Sequence, residues 1–222
     1  MLNIIKVASI LAIAGASLAA PTNSSGDVTV TIKNSCRSDL HVYKLTNGHG
    51  GDKESKDISA GSSHDFKVDS SWAGRFWGCR DGEPNCAHYG SAVSLAEFLF
   101  KGFEGNDFYD ISFVDGFNIP MSIKPDGKSG DGYDCGAPTC ATLPTCPDKL
   151  KTDKGACMSA CAAFGTDEYC CTGEFNDPKK CKASEYADKF KSGCPDAYSY
   201  AYDDAKSTFG CKANKYTVTF CP

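Results

Sequence analysis

Fourteen cysteines constrain what this 222-residue chain can fold into more than any other feature of its sequence. An even count in an exported chain implies a complete disulfide framework with no free thiol. Export is read from the N-terminus. Lys6 precedes an apolar stretch from Val7 to Leu18, and small residues at Ser17 and Ala19 suit cleavage after Ala19. Residues 1–19 are therefore predicted to be a signal peptide, and the mature chain 20–222 to be secreted. The spacings Cys157 to Cys161 and Cys135 to Cys140 are loosely ligand-like, but no paired CxxC pattern accompanies them. An oxidising compartment then favours disulfides over zinc, so neither a metal site nor a catalytic thiol is expected. Adjacent Cys170 and Cys171 cannot bond to each other without strain, so each must reach a different partner. Cys36 follows the first strand signal and Cys221 the last. Joining them would tie both ends of the chain into one sheet, and closing so long a loop is worth ~5 kcal/mol in the chain-entropy model.

The net charge of −5 argues against nucleic acid or an anionic membrane as partner, because an acidic surface repels both. No second hydrophobic run is present, so no stable membrane anchor is expected. The mature chain is expected to be a monomer.

Two textures divide the chain near Lys124. Before it, Val28, Val30 and Ile32 alternate with Thr29 and Thr31, the mark of a half-buried strand. The segments 41–45, 66–68, 76–77, 95–100 and 109–114 read likewise, separated by glycine-rich turns. Short strands with regular turns predict a sandwich of antiparallel sheets. After Lys124 most of the cysteines crowd together, and two short helices are predicted. One runs from Ala156 to Phe164, closed by Gly165, and one from Ser184 to Ser192, closed by Gly193. Neither is long enough to persist alone, so crosslinks must hold this lobe. Tyr216, Val218 and Phe220 alternate with threonines as a last strand. The expected fold class is mainly β. An antiparallel sandwich of about residues 27–124 and 212–222 carries a disulfide-rich lobe of about 125–211.

Several long segments resemble one family. Leu95-Ala-Glu-Phe98 and the run from Phe108 to Met121 look like its central strands. Tyr169-Cys-Cys-Thr-Gly173, Cys194-Pro-Asp-Ala-Tyr-Ser-Tyr200 and Val218-Thr-Phe-Cys-Pro222 match too, as does the cysteine spacing from Cys135 onward. The chain thus resembles the thaumatin-like family across roughly Val28 to Pro222. Fourteen cysteines allow on the order of 10⁵ pairings, among which the residues alone do not choose. The resemblance implies Cys36 with Cys221, Cys79 with Cys86, Cys135 with Cys211 and Cys140 with Cys194. It further implies Cys146 with Cys157, Cys161 with Cys170 and Cys171 with Cys181. Most relatives carry an extra bridged loop after the Arg-Phe-Trp segment. Here Arg75 to Gly90 departs from that pattern, which bears on the shape of the cleft and on substrate preference.

Glu97 shares a strand face with Leu95 and Leu99, while Ala96, Phe98 and Phe100 point the other way. A carboxylate there is expected where the sheet is only partly covered, because a dry unpaired charge is costly. Asp110 points opposite to Tyr109 and Ile111, and Asp115 follows at a strand end. Carboxylates gathered from neighbouring strands raise one another's pKa, which suits the acid and its ionised partner in glycoside hydrolysis. Relatives build an acidic cleft from one Arg, one Glu and three Asp. The resemblance implies Arg75, Glu97, Asp110, Asp115 and Asp203 here, with Asp204 as the alternative to Asp203. In that scheme Glu97 is the general acid and Asp115 the ionised partner, while Arg75, Asp110 and Asp203 bind substrate and tune the site. No cofactor or metal is implied. The partner is β-1,3-glucan or a related cell-wall polysaccharide, either cleaved or only bound. The other reading is a non-catalytic defence protein that binds glucan or permeabilises membranes. Trp72, Trp77, Tyr89, Phe103 and Phe117 are the candidate sugar platforms, and Tyr198, Tyr200 and Tyr202 are expected to pack inward. Asn23 heads the sole glycosylation sequon.

Overall fold

The computed structural model describes residues 26–47, 53–83, 86–88 and 90–222. The expected signal segment 1–19, Asn23 and Tyr89 lie outside the described residues.

Strand β1 (Val28–Asn34) buries Val28, Val30 and Ile32 while its threonines face outward, as the alternation predicts. It sits inside a five-stranded sheet. On one side it pairs antiparallel with β4 (Ser63–Val68). On the other it pairs parallel with β14 (Lys215–Phe220), so the first and last strands run the same way. β9 (Met121–Pro125) and β10 (Thr139–Cys140) complete that sheet. The facing sheet runs β3 (Lys53–Ile58), β2 (Leu40–Thr46), β5 (Ala73–Cys79), β6 (Leu95–Leu99) and β7 (Asp107–Ser112). Along β7, β12 (Ala197–Tyr198) adds a parallel pairing and β13 (Phe209–Cys211) an antiparallel one. A two-stranded ribbon joins β8 (Gly116–Phe117) to β11 (Cys157–Met158).

Between the large sheets lies an apolar core of Val30, Ile32, Phe66, Phe76, Phe98, Tyr109, Ile111, Val218 and Phe220, among others. Each large side chain buried there contributes roughly 2 kcal/mol. Polar groups within it are satisfied. Buried Asp107 accepts hydrogen bonds from Tyr216 Oη at 2.7 Å and from the Lys101 amide at 3.1 Å.

Strand β3 carries no alternating signal, and Ile58 is its one buried residue. It forms because β2 offers an open ladder, and its lysines and acids leave a charged outer edge that discourages pairing with other chains.

In the cysteine-rich region the predicted helix 156–164 begins later. Cys157 and Met158 are taken into β11, and α1 (Ala160–Phe164) starts after Ser159, whose hydroxyl accepts from the Ala162 amide at 3.1 Å. The ladder to Phe117 and the bond to Cys146 hold Cys157 extended, overriding its helical surroundings. Gly165 ends α1 in the left-handed conformation at φ 63°. A short α2 (Asp167–Cys170) follows, which the sequence reading did not foresee. Then comes α3 (Glu185–Gly193), capped by Ser184. Gly193 lies in its last turn, so Cys194 rather than Gly193 terminates it.

Seven disulfides join the pairs that the resemblance implies, Cys36–Cys221, Cys79–Cys86, Cys135–Cys211, Cys140–Cys194, Cys146–Cys157, Cys161–Cys170 and Cys171–Cys181. The lobe is sewn into the sandwich rather than hung on it, because β10, β12 and β13 all lie within residues 125–211 yet belong to the large sheets. No helix among the described residues is long and apolar enough to cross a membrane.

Candidate active site

The face of the β5–β6–β7 sheet opposite the core carries a row of charge. Arg75, Glu97 and Asp110 are direct cross-strand neighbours, so all three side chains point the same way. Arg75 Nε stands 3.4 Å from Glu97 Oε1. Glu97 is 28% exposed, the partly covered setting expected of a carboxylate between leucines. The adjoining row on this face is Trp77, Leu95 and Ser112, covered at its β5 end by Cys79, Cys86 and Val93. Trp77 Nε1 donates to the Cys86 carbonyl at 2.9 Å there. On the other side of the charged row lie Leu99 and Phe108. This face of the sheet is thus a polar stripe between a covered end and an apolar end.

Asp115 reaches the site from a turn. The Gly116 amide bonds to the Phe113 carbonyl at 2.9 Å, and Gly116 itself sits at φ 118°. A side chain there would run into the Cys157 carbonyl, so glycine is required for β8 to approach β11. Asp115 then lines a cavity of about 250 Å³ between sandwich and lobe, with Tyr169, Tyr186, Ser199 and Tyr200 on its walls.

Burial raises all three carboxyls from their ordinary values, Asp110 well above. For Glu97 burial acts first. Arg75 opposes it, the Asp115 charge adds to it, and a hydrogen bond from Ser112 pulls the other way. Asp115 is raised by burial and eased by Arg75. Asp110 is raised most, by burial and by the charge of Glu97, with Arg75 opposing and Asp204 adding. Its Oδ1 is buried and accepts no hydrogen bond among the described residues. A carboxyl raised this way binds its proton more tightly folded than unfolded. The stability it confers is full at acid pH and lost as pH climbs through the folded midpoint. Asp110→Asn should therefore raise the melting temperature near pH 7 and change it little near pH 4, read by thermal unfolding at both. An unchanged melting temperature at the higher pH would mean that folding does not raise the Asp110 midpoint.

Asp203 does not join the row. It is 10% exposed and pairs with Lys191 at 2.9 Å, and its Oδ2 also accepts from the Ser199 amide and hydroxyl. Its neighbour Asp204 is the one whose charge acts on Asp110, and Asp204 accepts from Tyr198 Oη at 2.8 Å. Tyr198, Tyr200 and Tyr202 do not form one packed strand face. Tyr198 bonds Asp204 and Thr208, Tyr200 lines the Asp115 cavity, and Tyr202 donates to Asn176. Among the sugar-platform candidates, Trp72, Trp77 and Phe117 are buried, whereas Phe103 is 77% exposed on the turn joining β6 to β7. Ser112 was not anticipated. The signal for it was its position two residues beyond Asp110 on the same strand face.

Residues 34–222 match the model of the Thaumatin family. The chain belongs to the thaumatin family. Among relatives of this thaumatin-family chain is the pathogenesis-related thaumatin-like protein 3.5 of Cryptomeria japonica. The two are 45% identical across 74% of this chain and 77% of that one. A Prunus avium protein named glucan endo-1,3-beta-glucosidase is 37% identical over 87% of this chain and 90% of its own. Among solved structures, a laminaripentaose-producing beta-1,3-glucanase in complex with laminaritetraose shares the fold. Its TM-score is 0.58 at 10% identity, over 89% of this chain and 99% of that one.

Proposed function

We propose that this thaumatin-family chain is a secreted, monomeric protein that binds β-1,3-glucan along the acidic cleft and hydrolyses it there. The observation that carries the reading is the Arg75–Glu97–Asp110 row with Asp115 beside it. The name of the Prunus avium relative supports the substrate class.

Glu97 is the general acid. Burial and the Asp115 charge keep its proton on, and its partial exposure lets it reach a glycosidic oxygen. Asp110 stands beside it on β7, where burial and the Glu97 charge favour its neutral form, so the row carries less charge. Once Glu97 has given up its proton, Arg75 and Ser112 stabilise the carboxylate left behind. Asp115 is the ionised partner that meets the positive charge developing on the sugar. Asp204, rather than Asp203, is the fifth acidic member. A water molecule then bonds to the anomeric carbon in place of the departed glycosidic oxygen and gives its proton to a carboxylate of the row, so the step balances with water and carboxyl groups and calls for no metal or cofactor.

Incubation with linear β-1,3-glucan should release new reducing ends, and the protein should sediment with the insoluble polymer but not with chitin. Sedimentation without cleavage would leave a glucan-binding module. Liposome leakage without sedimentation would mark a permeabiliser and overturn the reading. Leu99 and Phe108 form the apolar end of this face of the sheet, and exposed Phe103 stands on the turn between their strands. A sugar ring presents an apolar face to such a surface. Phe103→Ala should weaken glucan binding roughly three- to tenfold, a loss typical of one aromatic contact. Unaltered sedimentation would remove Phe103 from the binding surface.

A further inference from the structure

Lys191 on α3 is remote in sequence from every residue of the charged row, yet its ammonium is surrounded. Nζ lies 3.0 Å from the Ala197 carbonyl, 3.1 Å from the Lys206 carbonyl, 2.7 Å from Ser207 Oγ and 2.9 Å from Asp203 Oδ2. The side chain is 19% exposed. These four partners bracket one stretch of chain, 197–207. Asp203 fastens that stretch again from inside, by accepting from the Ser199 amide at 3.1 Å and its hydroxyl at 2.9 Å. A single partly buried cation thus gathers a loop that has little regular structure of its own, only the two residues of β12 and a turn at Asp204–Lys206. An ammonium satisfied in this way is costly to remove, because its carbonyl and carboxylate partners stay behind without a donor.

The gathered loop feeds the site. Its first strand pairs with β7 at Ile111 and Ser112, next to Asp110. Tyr198 Oη donates to Asp204 Oδ1 at 2.8 Å and shares a hydrogen bond of 2.5 Å with Thr208 Oγ1. Tyr198 and Asp204 are the groups of this loop that act electrostatically with Asp110, which otherwise faces Glu97 on β6 and Arg75 on β5. We infer that Lys191, acting with Asp203, is a positioning residue that clamps the 197–207 loop so that Asp204 is delivered to the acidic row. The inference builds on the proposed cleft but concerns the placement of a charge, which can be read without any glucan.

The test is the titration of the Asp110 carboxyl by ¹³C NMR in the full chain, its signal assigned by its loss in Asp110→Asn. Asp204→Asn should lower the Asp110 midpoint, because a like charge is removed. Lys191→Met should lower it by the same amount although it touches neither residue. The Lys191→Met/Asp204→Asn double variant should then match Asp204→Asn alone, since a displaced charge cannot be removed twice. A Lys191→Met protein that melts earlier but keeps the parent midpoint would reduce Lys191 to a stabiliser of the lobe and overturn the inference. Should Lys191→Met fail to fold, Asp203→Asn leaves the carbonyl contacts in place and should give a smaller shift in the same direction. No shift in that variant would equally overturn it. Glucan sedimentation of the same proteins separates the two proposals. A parent that ignores glucan defeats the proposed function while leaving the midpoints to decide the clamp.

Discussion

Glu97→Gln is expected to lower glucan cleavage by about 10²- to 10⁴-fold, the usual contribution of a positioned general acid, while sedimentation with insoluble glucan stays close to that of the parent. Glutamine keeps the size and hydrogen-bonding capacity of the side chain but has no proton to transfer, so the substitution separates acid catalysis from packing. The fold should survive, because Glu97 lies on the open face of β6 while Ala96 and Phe98 on the opposite face carry the core contacts. Asp115→Asn should also impair cleavage severely. The charges of Glu97 and Asp115 act on one another, so the acid limb of the pH–rate profile should report the pair and not either group alone. Reducing ends released over time from linear β-1,3-glucan provide the measurement. A Gln variant that cleaves as fast as the parent would end the assignment of Glu97 as the acid.

The second large effect is covalent. Removing Cys36–Cys221 by a Cys36→Ser/Cys221→Ser double substitution should cost up to ~5 kcal/mol, since the bond closes a loop of 185 residues. That is a large share of the ~5–15 kcal/mol that holds a typical domain folded. For a chain of this size the loss should lower the melting temperature by roughly 10–20 °C. The bond lies just beyond β1 and β14, the parallel pair in the middle of the five-stranded sheet, so it holds together strands from opposite ends of the chain. The corresponding double serine variant at Cys79 and Cys86 should cost about half as much in the same model, because those cysteines are only seven positions apart. Thermal unfolding of the two variants side by side checks the ordering. Equal melting temperatures would show that loop length does not set the contribution of these bonds.

How legible the chain was depends on how local each signal is. β1 could be read from five residues, because alternation of β-branched and polar side chains states both the strand and its buried face. β3 could not, since an edge strand with a single buried residue exists only by virtue of the ladder that β2 extends to it. The start of α1 was misplaced for a related reason. Cys157 reads as part of a helix until a partner strand and a disulfide, both distant in sequence, claim it.

The site divides along the same line. Alternation along β6 and β7 put Glu97 opposite Phe98 and Asp110 opposite Tyr109, and a strand's period of two left no other arrangement. Family resemblance supplied the list of charged residues, but a list carries no register. Three things became visible only in the folded chain: the Arg75–Glu97–Asp110 row, the buried Asp110 oxygen that accepts no hydrogen bond among the described residues, and the different surroundings of Asp203, paired with Lys191, and Asp204, bonded by Tyr198 and acting on Asp110. Asp203 and Asp204 are chemically identical neighbours, and no local pattern tells them apart. What separates them is where Lys191 lies, and that is set by the packing of α3 against a loop that returns from the lobe to the sheet. The sequence by itself determined the alternating strands, their buried faces and the chemical types of the charged groups, because these depend on neighbours a few residues apart. The tertiary structure alone decided which charges meet and which are neutralised, because burial and Coulomb interaction act through space between segments that the chain keeps far apart.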